Sequence, residues 1–110
     1  MNFLEIVFYT TENGRTPFLT WLERLDKVAR GIVKTRLDHL RLGNFGDCKL
    51  IKNVPGLWEL RVHYGPGYRI YFGKIGTQTV LLLIGGIKGA QTRDIMRARN
   101  YWAECGRFYE

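Results

Sequence analysis

The sequence predicts an α+β fold: an N-terminal strand, a helical hairpin, an antiparallel three- to four-stranded meander and a C-terminal helix. Three patterns carry this expectation. Apolar residues between Phe18 and Leu40 recur at helical spacing, those between Leu57 and Phe72 alternate, and the chain returns to helical spacing after Gln91. Helices grouped beside an antiparallel sheet, rather than strictly alternating with parallel strands, define the α+β class. The 110 residues form one domain, 1–110, at roughly 150 residues per domain. A chain of this size buries about 60–68% of its unfolded surface, enough for a core without staples.

Residues 3–9 (FLEIVFY) are rich in branched and aromatic side chains and read as the first strand. Asn13-Gly14 then turns the chain. Thr16-Pro17 starts a helix, with the hydroxyl as N-cap and the proline at the first helical position, where its missing N–H costs nothing. Phe18, Leu19, Trp21, Leu22 and Leu25 supply its apolar face. Asp26 caps a second helix reaching about Leu42, built on Val28, Ile32, Val33, Leu37 and Leu40, with Gly43 at its C-terminal stop. Lys27, Arg30, Lys34 and Arg41 form a basic stripe on the other side, which reads as a solvated face.

In residues 57–63 (LWELRVH), Trp58, Leu60 and Val62 point one way and Glu59, Arg61 and His63 the other. Tyr64-Gly65-Pro66-Gly67 is turn chemistry, and residues 68–74 (YRIYFGK) return with Tyr68, Ile70 and Phe72 on one side. Residues 79–84 (TVLLLI) are apolar on both faces, as in a strand covered on both sides, and Gly85-Gly86 is expected to end it. In residues 91–105, Ile95, Ala98, Trp102 and Cys105 make a stripe that should pack on the core.

Composition narrows the function. With 45% hydrophobic and 14% aromatic residues the chain is not disordered. No apolar run approaches the ~20 residues needed to cross a bilayer, and the start of the chain lacks a basic segment followed by a long apolar one. A cytoplasmic protein with no membrane association is expected. Cys48 and Cys105 stand apart, without metal-ligand spacing, and are expected to be reduced thiols; neither a metal nor a cofactor is implied. Lys and Arg number 17 against 10 Asp and Glu, a net charge of +7 that favours a polyanionic partner.

The two alternating strands would place Arg61, His63, Arg69 and Tyr71 on one polar face. Lys88, past the glycine pair, reaches the same region, and Lys49 and Lys52 flank it. Arginines on such a face bind a phosphodiester through paired charge-assisted hydrogen bonds, while Tyr64, Tyr68 and Tyr71 could stack on unpaired bases. The bland readings are that Arg61 pairs with an acid such as Glu59, that His63 is simply solvated, and that the tyrosines are ordinary sheet residues. Phosphate-loop, dinucleotide-binding, HExxH and nucleophile-elbow motifs are absent, and no paired carboxylates suit two-metal nuclease chemistry. Cleavage of a phosphodiester would then use the neighbouring ribose 2′-OH as nucleophile, which restricts the substrate to RNA.

Leu42-Gly43-Asn44, Gly46-Asp47 with Lys49, Glu59-Leu60-Arg61, the YGPGYR run at 64–69 with Tyr71, Gly85-Gly86 with Lys88, and Gln91 with Asp94-Ile95 occur together and in order. In these pieces the chain resembles the addiction-module killer proteins of the RelE/ParE toxin superfamily, in their phage-associated, HigB-like branch. The resemblance implies the toxin fold, a bacterial or phage-related cytoplasmic setting and a cognate antitoxin, a small helix-turn-helix protein, as partner. It further implies a ribosome-dependent, metal-independent endoribonuclease that cleaves mRNA and arrests translation. Arg61, Arg69 and Lys88 carry over as phosphate-contacting catalytic residues, with His63 as an acid or base. Two alternatives stay open: a ParE-like inhibitor of DNA gyrase without nuclease chemistry, and a decayed toxin that retains only antitoxin binding. The second has a motive in the sequence. Ile87 stands where relatives have an acidic residue before the lysine, and Gly89-Ala90 where they have a polar pair.

Overall fold

A computed structural model describes the backbone of residues 3–109 and the side chains of residues 3–105. The chain runs β1 (Glu5–Phe8), α1 (Pro17–Arg24), α2 (Lys27–Arg41), β2 (Cys48–Leu50), β3 (Leu57–Val62), β4 (Tyr68–Ile75), β5 (Thr79–Ile87) and α3 (Gln91–Tyr109). The class is α+β, as expected, with a C-terminal helix.

Local chemistry sets the helix boundaries. The Asp26 carboxylate accepts from the Ala29 N–H at 2.9 Å, capping α2 one residue after α1 ends in the extended Leu25. Gly43 follows α2 with a φ of +89°, a left-handed conformation that glycine adopts without steric cost. Thr16 does occupy the N-cap position of α1, but its hydroxyl makes no cap bond; Pro17 alone marks that start.

The five strands lie in the order β1-β5-β4-β3-β2. From β2 to β5 they form a four-stranded antiparallel meander, the upper end of the expected range. β1 instead joins the far side of β5 in parallel, pairing Glu5–Phe8 with Thr79–Leu82, so the sheet is mixed. It is also shorter than the 3–9 span suggested by its composition.

Each face of the sheet has its own core. Leu60, Val62, Ile70, Phe72, Val80 and Leu82 pack against Phe18 and Leu22 of α1 and Val33, Leu37 and Leu40 of α2. On the other face Leu57, Tyr71, Leu81, Leu83 and Ile84 pack against Ala98 and Cys105 of α3. Cys48 belongs to the first face and Cys105 to the second; both thiols are free, and burial pushes each up to about 11.

The glycine pair does not end β5. The strand continues through Gly85 and Gly86 to Ile87, and a bulge explains their roles. Tyr71 pairs with Ile84 but Phe72 with Leu82, so Leu83 is the extra residue and Leu83 and Ile84 both face α3. The shift turns Gly85 toward α1 and Gly86 toward α3. A Cβ on Gly85 would lie 2.1 Å from the Trp21 indole, and one on Gly86 1.9 Å from the Asp94 carboxylate. The glycines admit these two side chains onto the strand, one from each layer.

Candidate functional site

Register places Arg61 directly opposite Arg69 in the β3–β4 ladder. Like charges across a ladder repel, and the two arginines meet this differently. Arg61 is held by two acids: its Nε lies 3.4 Å from Glu59 Oε1 and its Nη1 3.8 Å from Asp47 Oδ1. Arg69 is 9% exposed, has no carboxylate within ion-pair distance among the described residues, and its buried Nε has no hydrogen-bond partner. An unpaired buried cation is costly to fold around, and an incoming anion would offset that cost.

Arg69 is shared by two adjoining cavities. The first, of about 360 Å³, is lined by Lys49, Lys52, Glu59, Arg61 and Gln91 along with Arg69. The second, of about 240 Å³, gathers His63, Tyr64, Arg69 and Lys88 around the turn Gly65-Pro66-Gly67. This turn and the Lys88 loop are fastened by the Lys88 N–H donating to Gly67 C=O at 2.9 Å. Gly67 has a φ of +88°, and a Cβ there would press on the Lys88 side chain at 3.3 Å, so glycine permits the close approach.

His63 is exposed, and its Nε2 lies 2.6 Å from Asp47 Oδ2. That hydrogen bond, helped by the Arg61 and Arg69 charges, holds the Asp47 carboxyl below its ordinary 3.8 despite some desolvation. Asp47 therefore bridges Arg61 and His63 and fixes both from the segment leading into β2.

Behind the cavities lies a buried polar layer. Glu59 of β3 is 3% exposed, Tyr71 of β4 0% and Asp94, in the first turn of α3, 2%. Burial, with the Glu59 charge nearby, holds the Tyr71 phenol well above its usual range, and its hydroxyl has no partner in hydrogen-bonding geometry. Asp94 Oδ1 meets the exposed Arg93 at 3.4 Å, while Oδ2, against Gly86, is unpartnered. An acid in the first turn of α3 is favoured by the helix dipole.

The structure thus brings Arg61, His63, Arg69 and Lys88 into one contiguous region, with Lys49 and Lys52 on its far rim and Tyr64, 38% exposed, on its near rim. Two of the three tyrosines proposed for base stacking are placed otherwise. Tyr68 lies on the opposite face, in the hairpin core, edge-on to Trp21. Tyr71 shares the face of Arg69 but is sealed beneath α3, so neither ring offers a free face to a base. The polar face is correspondingly shorter than strict alternation suggests, because α3 roofs the Glu59–Tyr71 end. Asp47, Asp94 and Gln91 were not singled out as site residues from sequence. Asp47 stands in the Gly46-Asp47 pair and could have been noticed as the acid preceding the basic segment. Nothing in the local pattern marks Asp94 as buried.

The described residues gather no cluster of three or more His, Cys, Asp or Glu side chains able to hold a metal ion. Two guanidinia, one of them held by carboxylates, an ammonium and an imidazole tied to a carboxylate are suited to binding a phosphate group, stabilising added negative charge on it and relaying a proton.

No helix among the described residues is long and apolar enough to cross a membrane. The chain matches no protein-family model. A Haemophilus influenzae protein described as uncharacterized is 38% identical over 90 residues, covering 81% of this chain and 89% of that protein. At that identity and coverage, this chain belongs to the same family as the Haemophilus influenzae protein.

Proposed function

We propose that the protein is the toxin of a type II toxin–antitoxin module, acting as a metal-independent endoribonuclease on mRNA at the ribosome. The observation that carries this reading is Arg69: a residue nine-tenths buried, with an unpartnered Nε and no carboxylate in ion-pair contact among the described residues, at the junction of two cavities lined by further cations. The ribosomal setting and the antitoxin partner rest on the resemblance of the YGPGYR segment and the glycine–lysine loop to RelE/ParE toxins.

In this mechanism the scissile phosphate sits on Arg69, with Lys88 and Arg61 contributing charge. The ribose 2′-OH attacks the adjacent phosphorus, the P–O5′ bond breaks, and the products are a 2′,3′-cyclic phosphate and a 5′-hydroxyl. His63 carries a proton between the attacking and leaving oxygens, oriented by Asp47. Positioning of the 2′-OH in line and electrostatic stabilisation of the pentacoordinate phosphate supply the acceleration. Ile87 in place of an acid makes the Lys88 loop less polar than in the toxins it resembles, which is the motive for the alternative of a decayed toxin that retains only antitoxin binding. An acidic segment of the antitoxin would cover the +7 chain with fast, salt-sensitive association.

The test is induction in bacteria without an antitoxin, with transcript ends mapped by sequencing. New ends within translated mRNA, abolished by Arg69→Ala, are expected. Growth arrest with intact mRNA would overturn the nuclease reading.

A further inference from the structure

We infer that the chain carries a second anion site, separate from Arg69, that binds a nucleoside phosphate between α1, α3 and the continuation of β5. A cavity of about 370 Å³ lies there, with Ile84 and Gly85 of β5 among its lining residues. Pro17, Thr20, Trp21 and Arg24 recur at i, i+3, i+4 and i+7 and so present one face of α1 to it. Arg97 and Tyr101 recur at i, i+4 on α3, where Arg97 Nη2 approaches the Tyr101 hydroxyl at 3.5 Å. Arg15 closes the cavity from the loop before α1.

Two features point to the ligand. First, Arg15, Arg24 and Arg97 converge on the cavity without an acidic residue among its lining residues, and none of the three forms an ion pair among the described residues. Elsewhere, Arg41, Arg61 and Arg93 each have a carboxylate within 4 Å, whereas Arg69, like Arg15, Arg24 and Arg97, has none among the described residues. Three uncompensated guanidinia around one hollow leave a positive potential that a phosphate relieves through charge-assisted hydrogen bonds. Second, the hollow also contains Trp21 and Tyr101, both half-buried. Gly85 exists in a form that only a missing side chain allows, since the indole rests where its Cβ would be. Aromatic rings beside guanidinia suit a nucleobase joined to a phosphate better than a bare anion. The phosphate could belong to a free nucleotide or to a polynucleotide.

The two sources and the site itself are separated by calorimetric titration of Arg69→Ala protein, in which the first site is disabled. The probes are adenosine monophosphate, adenosine, inorganic phosphate and a short single-stranded oligoadenylate. Binding of adenosine monophosphate is expected, roughly tenfold weaker in the added Arg24→Ala or Arg97→Ala variant, and weaker with rising salt. Trp21→Phe should weaken adenosine monophosphate while leaving inorganic phosphate unchanged. Oligoadenylate binding more tightly than the mononucleotide assigns the site to a polynucleotide, and equal affinity assigns it to a free nucleotide. The proposal is overturned if adenosine monophosphate does not bind, if adenosine binds as well as its phosphate, or if the arginine variants, shown to be folded by circular dichroism, bind unchanged. Because the assay does not read RNA cleavage, it can fail while the toxin reading survives, and the reverse.

Discussion

On the hairpin face of the sheet, Leu60, Ile70, Phe72 and Leu82 are closed against α1 and α2 by apolar side chains and aromatic rings. On the α3 face the same strands bury Glu59, Arg69, Tyr71 and Asp94 among Leu57, Leu83 and Ala98. The first face is built as a stabilising core. The second carries groups that oppose folding unless something binds them: an unpaired guanidinium, an orphan phenol and a half-satisfied carboxylate. Under the proposed function, this division is a trade between stability and activity across two layers that share one sheet.

Truncation of a fully buried ring on the hairpin face tests the first half of that contrast most strongly. Phe72→Ala should cost about 3–5 kcal/mol in chemical denaturation, enough to unfold a marginal domain. A loss below 1 kcal/mol would show that this face is not the principal core.

Arg69 tests the other half, with opposite signs in two measurements. Under the proposed function, Arg69→Met should lower RNA cleavage by roughly 100- to 1000-fold, the scale of one electrostatic donor. The same change should leave the unfolding free energy unchanged or raise it by about 1 kcal/mol, since an apolar side chain replaces an uncompensated buried charge. A destabilised Arg69→Met protein would mean that the guanidinium is structurally paired.

The glycine pair sharpens the comparison within a single strand. Gly85→Ala drives a methyl into a rigid indole and should cost about 1–3 kcal/mol. Gly86→Ala meets the end of a carboxylate side chain, which swings away more cheaply, so its thermal unfolding should be less affected. Equal losses would erase the distinction between the layers at this point.

The smallest effect concerns Asp47. Its folded carboxyl lies below 3.8, chiefly through the hydrogen bond from His63 and then through Arg61. A depressed carboxyl stabilises the fold fully above its unfolded value, and that contribution disappears as the pH falls through the lowered folded value. Unfolding midpoints of wild type and Asp47→Asn should therefore converge as the pH falls below the ordinary carboxyl value of 3.8, with the wild type slightly ahead near neutral pH. Parallel curves across that range would show that the contact contributes nothing.

Much of this architecture was legible in the order of residues. Asp26 before a helical apolar stripe gave the second helix and its cap, and the Leu57–Val62 alternation gave a strand with the correct inward set. The Ile95–Ala98–Trp102–Cys105 stripe correctly named the packed face of α3. The cations of the site were legible too, because alternate residues of a strand share a face and a tight Gly-Pro-Gly turn leaves little freedom in how the next strand returns.

What stayed hidden depends on contacts between segments remote in sequence. Glycines read locally as a strand end, yet Gly85 and Gly86 are strand interior, since Trp21 and Asp94, some 64 and 8 residues away, need the space. Tyr71 reads as a rim aromatic until α3 is laid over it. Whether Arg61 or Arg69 stays free depends on Asp47 reaching one and missing the other. Composition, periodicity and turn chemistry act over a few bonds and so determined the elements, their faces and the positive charge. Burial and charge pairing are set by which distant surfaces meet, and only the tertiary structure decided which arginine was left without a partner.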